Sequence, residues 1–263
     1  MSNQKIATIL IPNYKTAELT KICLRLIRKF TDLAKVEVIV IDNNSNDEST
    51  KYLESVKWIK LIKRKTIPNE GGVLSHGRAL DLGLKKVSTD YVISFHTDTF
   101  VHNDAWLEYL LSSFTHPKIA GVGSWKLEQK NFLQKLGKNT ELLLKKLFGG
   151  KNNPFRYDKN YHYLRSHCAI YRTKYIKKIK TFFSDGNQTA GLIMHRKLIN
   201  AGYKMIFLES NELMKYIHHV NHATQALNPE IKNRGSLKTL KTYFIFLKQP
   251  FIQSVLTKDD LDL

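Results

Sequence analysis

The run Val36 to Ile41, closed by Asp42, restricts the fold more than any other feature. It is apolar at almost every position instead of at every second one. A strand with one wet face alternates, whereas a near-continuous apolar run belongs to a strand buried on both faces, as in a parallel sheet covered by helices. Similar short runs recur at Ile6 to Ile11, Trp58 to Ile62, Tyr91 to Phe95 and Ile119 to Val122. Between them, apolar residues repeat at helical spacing. Leu19, Ile22, Cys23, Leu26, Ile27 and Phe30 form one such face. Val73, Gly77, Leu80, Leu84 and Val87 form a second, and Trp106, Leu107, Leu110, Leu111 and Phe114 a third. Ser49 to Val56 reads as a short helix. Strand–helix–strand units of this length predict an α/β fold with a mainly parallel central sheet and helices on both faces.

The composition changes after residue 125, which divides the chain into 1–125, 126–225 and a tail, 226–263. Lysines crowd into 126–160, where Phe132, Leu133, Leu136, Leu143, Leu144 and Leu147 fit a helix with a basic opposite face. The α/β pattern then returns. A strand is predicted near Cys168 to Tyr171, a helix from Thr189 to Ala201, and strands near Lys204 to Leu208 and Met214 to Val220. In the tail, Leu237, Leu240, Phe244, Leu247 and Phe251 recur at three- and four-residue steps among Arg234, Lys238, Lys241 and Lys248. Gln249-Pro250 should break this helix, because proline removes a backbone donor. A basic amphipathic helix of this kind is expected to lie on an anionic membrane, with little core left for it to cover.

The chain of 263 residues carries 42 Lys and Arg against 23 Asp and Glu, a formal charge of +19. Such a balance implies polyanionic partners: phospholipid surfaces, nucleic acid or phosphate-bearing substrates. Phe155, Tyr157, Tyr161 and Tyr163 among basic residues add to the nucleic-acid reading. Cys23 and Cys168 lie far apart in apolar patterns and are expected to be reduced core residues. No run approaches the roughly 20 apolar residues of a membrane span. Met1 to Lys5 lacks the features of a signal peptide, so the expected location is cytoplasmic, peripheral on the inner face of the membrane.

Ligands of open α/β sheets bind at the carboxyl ends of the strands. Polar residues gather there: Pro12-Asn13-Tyr14, Asp42 to Asp47, Asn69-Glu70-Gly71-Gly72, and His96-Thr97-Asp98-Thr99. The first turn is not glycine-rich, which excludes a nicotinamide site, and no Gly-Lys-Ser/Thr phosphate loop is present. Asp42 is placed to accept hydrogen bonds from a ribose or a base edge. The same segment also reads as a turn whose Asp47 and Glu48 cap a helix. His96 and Asp98 are two residues apart, so alternation puts them on one side, where both can reach a Mn²⁺- or Mg²⁺-like ion on a diphosphate. They also read as a polar turn before a helix starting at Asp104.

Together these segments resemble the family-two glycosyltransferases of the GT-A fold. The matching runs are Ile6 to Tyr14, Val38 to Asp47, Asn69 to Gly72 with Gly77 to Gly83, and Tyr91 to Val101. Fainter echoes follow in Ser166 to Arg172, Leu198 to Lys204 and His218 to His222. The resemblance implies inverting sugar transfer from a nucleotide-diphosphate sugar, UDP-linked, to a glycan or lipid-linked hydroxyl in surface polysaccharide or lipopolysaccharide assembly. It implies nucleotide contacts from Pro12, Asn13, Tyr14, Asp42, Asn44, Asn69, Gly72, His76 and Thr97. Asp98 and His96 would hold a divalent metal, with His219, or by position His222, completing the shell, and His167 and His222 in the acceptor or sugar pocket. The sequence departs from the pattern twice. His96 stands where the first Asp of an Asp-x-Asp is usual, and Ala190-Gly191 where a Glu-Asp supplies the base. The nearest carboxylate, Asp185, is the candidate base. A glycosyltransferase acting on nucleic acid and a catalytically silent GT-A-like module are the alternatives.

Overall fold

Two adjacent strands, β1 (Ala7–Asn13) and β2 (Val36–Asp42), show why continuous apolar runs were needed. Ile9, Ile11, Val38 and Val40 enter one core layer, while Leu10, Ile39 and Ile41 enter the other. The computed structural model describes residues 5–125, 127, 162–221, 223–228 and 236–263. The predicted helix between Phe132 and Leu147, the aromatics Phe155, Tyr157 and Tyr161, and His222 and Arg234 lie outside the described residues.

The main sheet adds β3 (Lys60–Lys63), β4 (Tyr91–Phe95), β6 (Ile119–Gly123), β7 (Cys168–Arg172) and β8 (Lys204–Phe207) in the order β3-β2-β1-β4-β7-β6-β8. Only β7 runs against the others. It lies between β4 and β6, so the segment after residue 160 completes the sheet begun by the first 125 residues. A two-stranded ribbon pairs β5 (Thr99–Val101) with β9 (Ile217–His219). Chain order reverses at β1 and β4, which opens a crevice at their carboxyl ends.

One layer contains α1 (Ala17–Phe30), α2 (Glu48–Ser55) and α4 (Trp106–Ser112). The other contains α3 (Gly72–Leu84), α5 (Thr173–Lys178) and α6 (Leu192–Asn200). The short α7 (Ser210–Leu213) and α8 (Ala223–Leu227) flank β9, and α9 (Ser236–Leu247) and α10 (Pro250–Leu256) form the tail. Cys23 and Cys168 are buried and reduced.

The structure moves several predicted boundaries for local reasons. Trp58 is excluded from β3 because its indole donates to the Leu261 carbonyl at 2.8 Å. The helix expected from Thr189 begins at Leu192, because Gly191 turns the chain with φ +81. The strand expected from Met214 is shortened to Ile217–His219 by the turn that follows α7.

The tail needs a larger correction. Proline does break it, but Pro250 then opens α10 as its first residue, where the missing N–H costs nothing. The helices are not idle beside the domain. Tyr243, Phe246, Ile252 and Val255 are buried in the core layer of α1. Arg25, fully buried on α1, donates to the carbonyls of Val255 at 3.1 Å and Leu256 at 2.6 Å. Its Nε also donates to Asp262 at 3.0 Å, and Tyr52 reaches the same carboxylate at 2.7 Å. The face expected to be apolar as a unit is split, since Leu237 and Phe244 are exposed.

Removing one member of a buried pair strands the other charge, at a cost of about 3 kcal/mol or more. Arg25→Met is therefore expected to lower the unfolding free energy by about that amount, read by urea denaturation. Asp259→Ala, at a carboxylate whose side chain is 85% exposed, should change it by less than about 1 kcal/mol.

Candidate active site

The side of the crevice at the ends of β1 and β2 is built on a buried hydrogen-bond brace. Asn13, at the end of β1, is fully buried. Its amide donates to Asp42 at 2.8 Å, Ser45 at 3.2 Å and Ser49 at 2.9 Å, and its carbonyl accepts from Thr20 at 2.7 Å. Asp42 accepts further from the Ser45 hydroxyl at 2.5 Å and Thr50 at 2.9 Å. Asp47 caps α2 by accepting from the Ser49 N–H at 2.9 Å, as the capping reading expected. Asn13 and Asp42 thus have their polar groups satisfied within the protein. They fix the loops that carry Tyr14 and Asn44 instead of facing solvent themselves. Pro12 is buried opposite Ile41, Tyr14 is half-buried with the Lys15 ammonium 5.4 Å from its ring, and Asn44 is exposed in the left-handed region at φ +61.

Next to this brace lies a charged network that sequence reasoning missed. Arg64 donates to both oxygens of Glu70 at 2.7 Å and to Asn43 at 3.1 Å, and Arg78 joins Glu70 at 2.7 Å. Burial opposes the Glu70 charge, but the two guanidiniums outweigh it and lower its pKa. The network ties the end of β2 to the loop with Asn69 and the start of α3, where Gly72 is exposed. Nothing in its neighbourhood marked Arg64 as a partner, because its contacts come from the loop after β2, its own loop and α3.

The expected convergence of His96 and Asp98 is present, and β9 brings His219 to them. Register pairs Thr99 with His219, and the Val220 N–H donates to the Asp98 carbonyl at 2.9 Å. His219 Nε2 lies 3.2 Å and His96 Nδ1 3.6 Å from Asp98 Oδ1. One ligand atom from each residue falls within 4.8 Å of the others. Asp98 Oδ1 and both ring nitrogens of His219 are buried without a hydrogen-bond partner, although Asp98 Oδ2 accepts from the Ala223 N–H at 3.2 Å. Unpaired buried polar atoms are costly, and three donors aimed at one point suit a cation. The residues therefore fit a divalent ion. Burial works against the Asp98 charge, yet the imidazoles outweigh it and hold the carboxyl well below the usual range. His96 is the most exposed of the three side chains, at 29%, and marks the open side. Thr97 is buried and meets Thr224 at 3.5 Å.

Two serines orient the rings. His96 Nε2 lies 2.9 Å from Ser166 Oγ, and His76 Nε2 lies 3.3 Å from the same atom. Facing the Asp98 carboxylate, His96 Nδ1 carries the hydrogen and Nε2 accepts from the Ser166 hydroxyl; an ion on Nδ1 would move that hydrogen to Nε2, which would then donate to Ser166, whose own hydrogen could go to His76. Burial, aided by the neighbouring His96, pushes the His76 pKa down to about 3, so it stays a neutral acceptor. His167 bonds Ser124 at 3.0 Å and stacks on His219 with ring centroids 4.8 Å apart. Burial also holds His167 neutral. Ser124 and Ser166 escaped the sequence reading, although Ser166 directly precedes His167 at the head of β7.

Asp185 lies apart from these rings in sequence, in the turn before α6. Its Oδ2 accepts from Thr181 at 2.5 Å, the Phe182 N–H at 3.0 Å and Lys197 at 2.8 Å. Burial opposes its charge, but Lys197 and the other donors lower its pKa. The turn packs on α3, since a Cβ on Gly77 would meet Ser184 Cα at 3.0 Å. Where the family pattern has Glu-Asp, Ala190 is buried and Gly191 donates to the Phe183 carbonyl at 2.9 Å. At φ +81 that position is strained for any side chain, so it is a turn here and not a carboxylate.

A mainly parallel sheet with a metal-ready cluster after β4 defines a GT-A glycosyltransferase. The sequence profile described as glycosyl transferase family 2 matches residues 8–180, and the chain belongs to that family. Solved structures share the fold. A mannosyltransferase from Pyrobaculum calidifontis, in complex with GDP-Man and Mn2+, has a TM-score of 0.54 at 15% identity, over 95% of this chain and 72% of that one. TarS 1-349 from S. aureus has a TM-score of 0.55 at 15% identity, over 91% and 70%. Glucosyl-3-phosphoglycerate synthase from Mycobacterium tuberculosis, in complex with Mn2+, UDP and glucosyl-3-phosphoglycerate, has a TM-score of 0.50 at 15% identity, over 96% and 78%. No curated protein matches the chain.

Calorimetric titration with Mn²⁺ tests the cluster. Asp98→Ala should abolish binding. Ser166→Ala, which touches no ion directly, should weaken it about 10-fold or more by freeing the His96 ring.

Proposed function

We propose that this chain transfers a sugar, with inversion, from a UDP-sugar to a hydroxyl on a glycan or lipid-linked acceptor, in assembly of surface polysaccharide or lipopolysaccharide. The observation that carries the reading is the convergence of His96, Asp98 and His219 beside the loops of β1 and β2. UDP is the nucleotide in the TarS and synthase complexes, which supports it over GDP as the first donor to try. A Mn²⁺ or Mg²⁺ ion held by the three side chains would offset charge on the departing diphosphate. Histidine in place of a second carboxylate leaves the ion with more net positive charge to apply to that diphosphate.

Tyr14 and Asn44, presented by the Asn13–Asp42 brace, lie on the nucleotide side with Asn69, Gly72 and His76. Thr97 supports the turn from within. His167 lines the sugar side, and His222 is assigned there by its place in the sequence. The base in this reading is Asp185. Its support is placement, because its turn packs on α3 one residue from His76. The Lys197 contact opposes the role by stabilising the carboxylate, and the acceptor must displace that exposed ammonium.

Thermal shift with UDP and GDP, each with and without Mn²⁺, tests the donor reading. UDP with Mn²⁺ should stabilise most, and no shift with any combination would count against it. With a working acceptor, Asp185→Asn should lower turnover about 10²-fold with donor binding unchanged. Near-normal turnover would remove Asp185 from the role.

A further inference from the structure

Helix α9 has two apolar sides with different partners. Its inner stripe holds Tyr243 and Phe246, buried at 2% and 6% exposure. Phe246 stacks on Phe100, with centroids 4.6 Å apart, and on His218, at 5.2 Å. Those two residues are cross-strand partners in the β5–β9 ribbon, next in sequence to Thr99 and His219. The inner stripe therefore clamps the ribbon that carries a metal-site histidine.

The outer stripe is Leu237, Lys241, Phe244, Ile245 and Lys248, spaced by four, three, one and three residues along one helical face. Leu237 is 82% exposed, Phe244 52% and Ile245 59%. These exposed residues are too large and too close together to be the scattered apolar surface of an ordinary helix. Lysines interrupt the stripe, as they do in helices that lie in the headgroup plane with their apolar side chains in the lipid boundary. The formal charge of +19 favours an anionic surface. No helix among the described residues is long and apolar enough to cross a membrane, so the contact would be in plane.

We infer that the outer face of α9 docks the protein on an anionic lipid surface while its inner face holds the β5–β9 ribbon. Leu237, Phe244 and Ile245 enter the lipid boundary, and Lys241 and Lys248 meet the headgroups. The docked surface therefore lies one helix away from Asp98 and His219. This proposal is independent of the reaction and of the donor.

Co-sedimentation of the full chain tests it, using vesicles of phosphatidylcholine alone and phosphatidylcholine with phosphatidylglycerol. Binding is expected only to the anionic vesicles and should fall as salt rises. Phe244→Ser with Ile245→Ser, and separately Lys241→Glu with Lys248→Glu, should each reduce partitioning about tenfold or more with an unchanged melting temperature. Both pairs are exposed, so loss of fold is not expected to intervene. No binding to anionic vesicles at low salt, or undiminished binding by both variants, would overturn the proposal. So would sedimentation as a dimer that Phe244→Ser with Ile245→Ser dissociates, which would make a second copy of this chain the occupant.

Discussion

A buried carboxylate must find compensating charge or hydrogen bonds, and Asp98 organises the crevice by meeting that demand from several directions. Its carbonyl accepts from Val220, and its Oδ2 accepts from Ala223, so one residue fastens β9 and α8 to the end of β4. Oδ1 remains for His96 and His219. The unpaired atoms of this cluster thus gather where a cation is chemically suited. Histidines serve this purpose well. They bring donor atoms to the carboxylate without adding the mutual repulsion that a second buried carboxylate would bring.

The two ends of the crevice are held by different physics. On the nucleotide side, Asn13 and Asp42 form a closed set of short hydrogen bonds that joins β1, β2, α1 and α2. Such a network fixes loop shape because its buried donors and acceptors are satisfied within it. On the metal side, ring stacking and two serines set orientation. Ser166 joins His96 to His76, and Ser124 joins His167, whose ring lies on His219. Fixing the direction of each imidazole matters because a ligand atom that is turned away contributes nothing to the ion.

The C-terminal helices belong to this arrangement and not to a detached tail. Arg25 collects the helix-end carbonyls of α10 and the Asp262 carboxylate, while Trp58 and Tyr52 bind the same terminal turn. Phe246 then transmits that anchoring to Phe100 and His218. The division of labour on α9 follows from its pattern. It is apolar on both sides, so one side can fill the core while the other remains available to an outside surface.

By itself, the sequence determined the α/β layering, the polar strand ends and the pairing of His96 with Asp98. The first two depend on local periods, two-sided apolar runs and helical repeats; the third depends on a spacing of two residues, which the fold holds in the turn between β4 and β5. It also located Pro250 as the end of a helix, since the missing N–H is a property of that residue alone. Only the tertiary structure decided which polar residues face the crevice and which brace it. Asn13 and Asp42 look like ligands in sequence, but partners from α1 and α2 enclose them. Arg25, Ser124 and Ser166 carry no local signal, because their partners lie on other elements, for Arg25 more than 200 residues away, and Arg64 joins its own loop to Asn43 and Ser75 only in the fold. The same holds for the tail. Periodicity showed that it was a helix with apolar stripes, but which stripe is inward depends on where the chain leaves β9, and that is set by packing and not by local pattern.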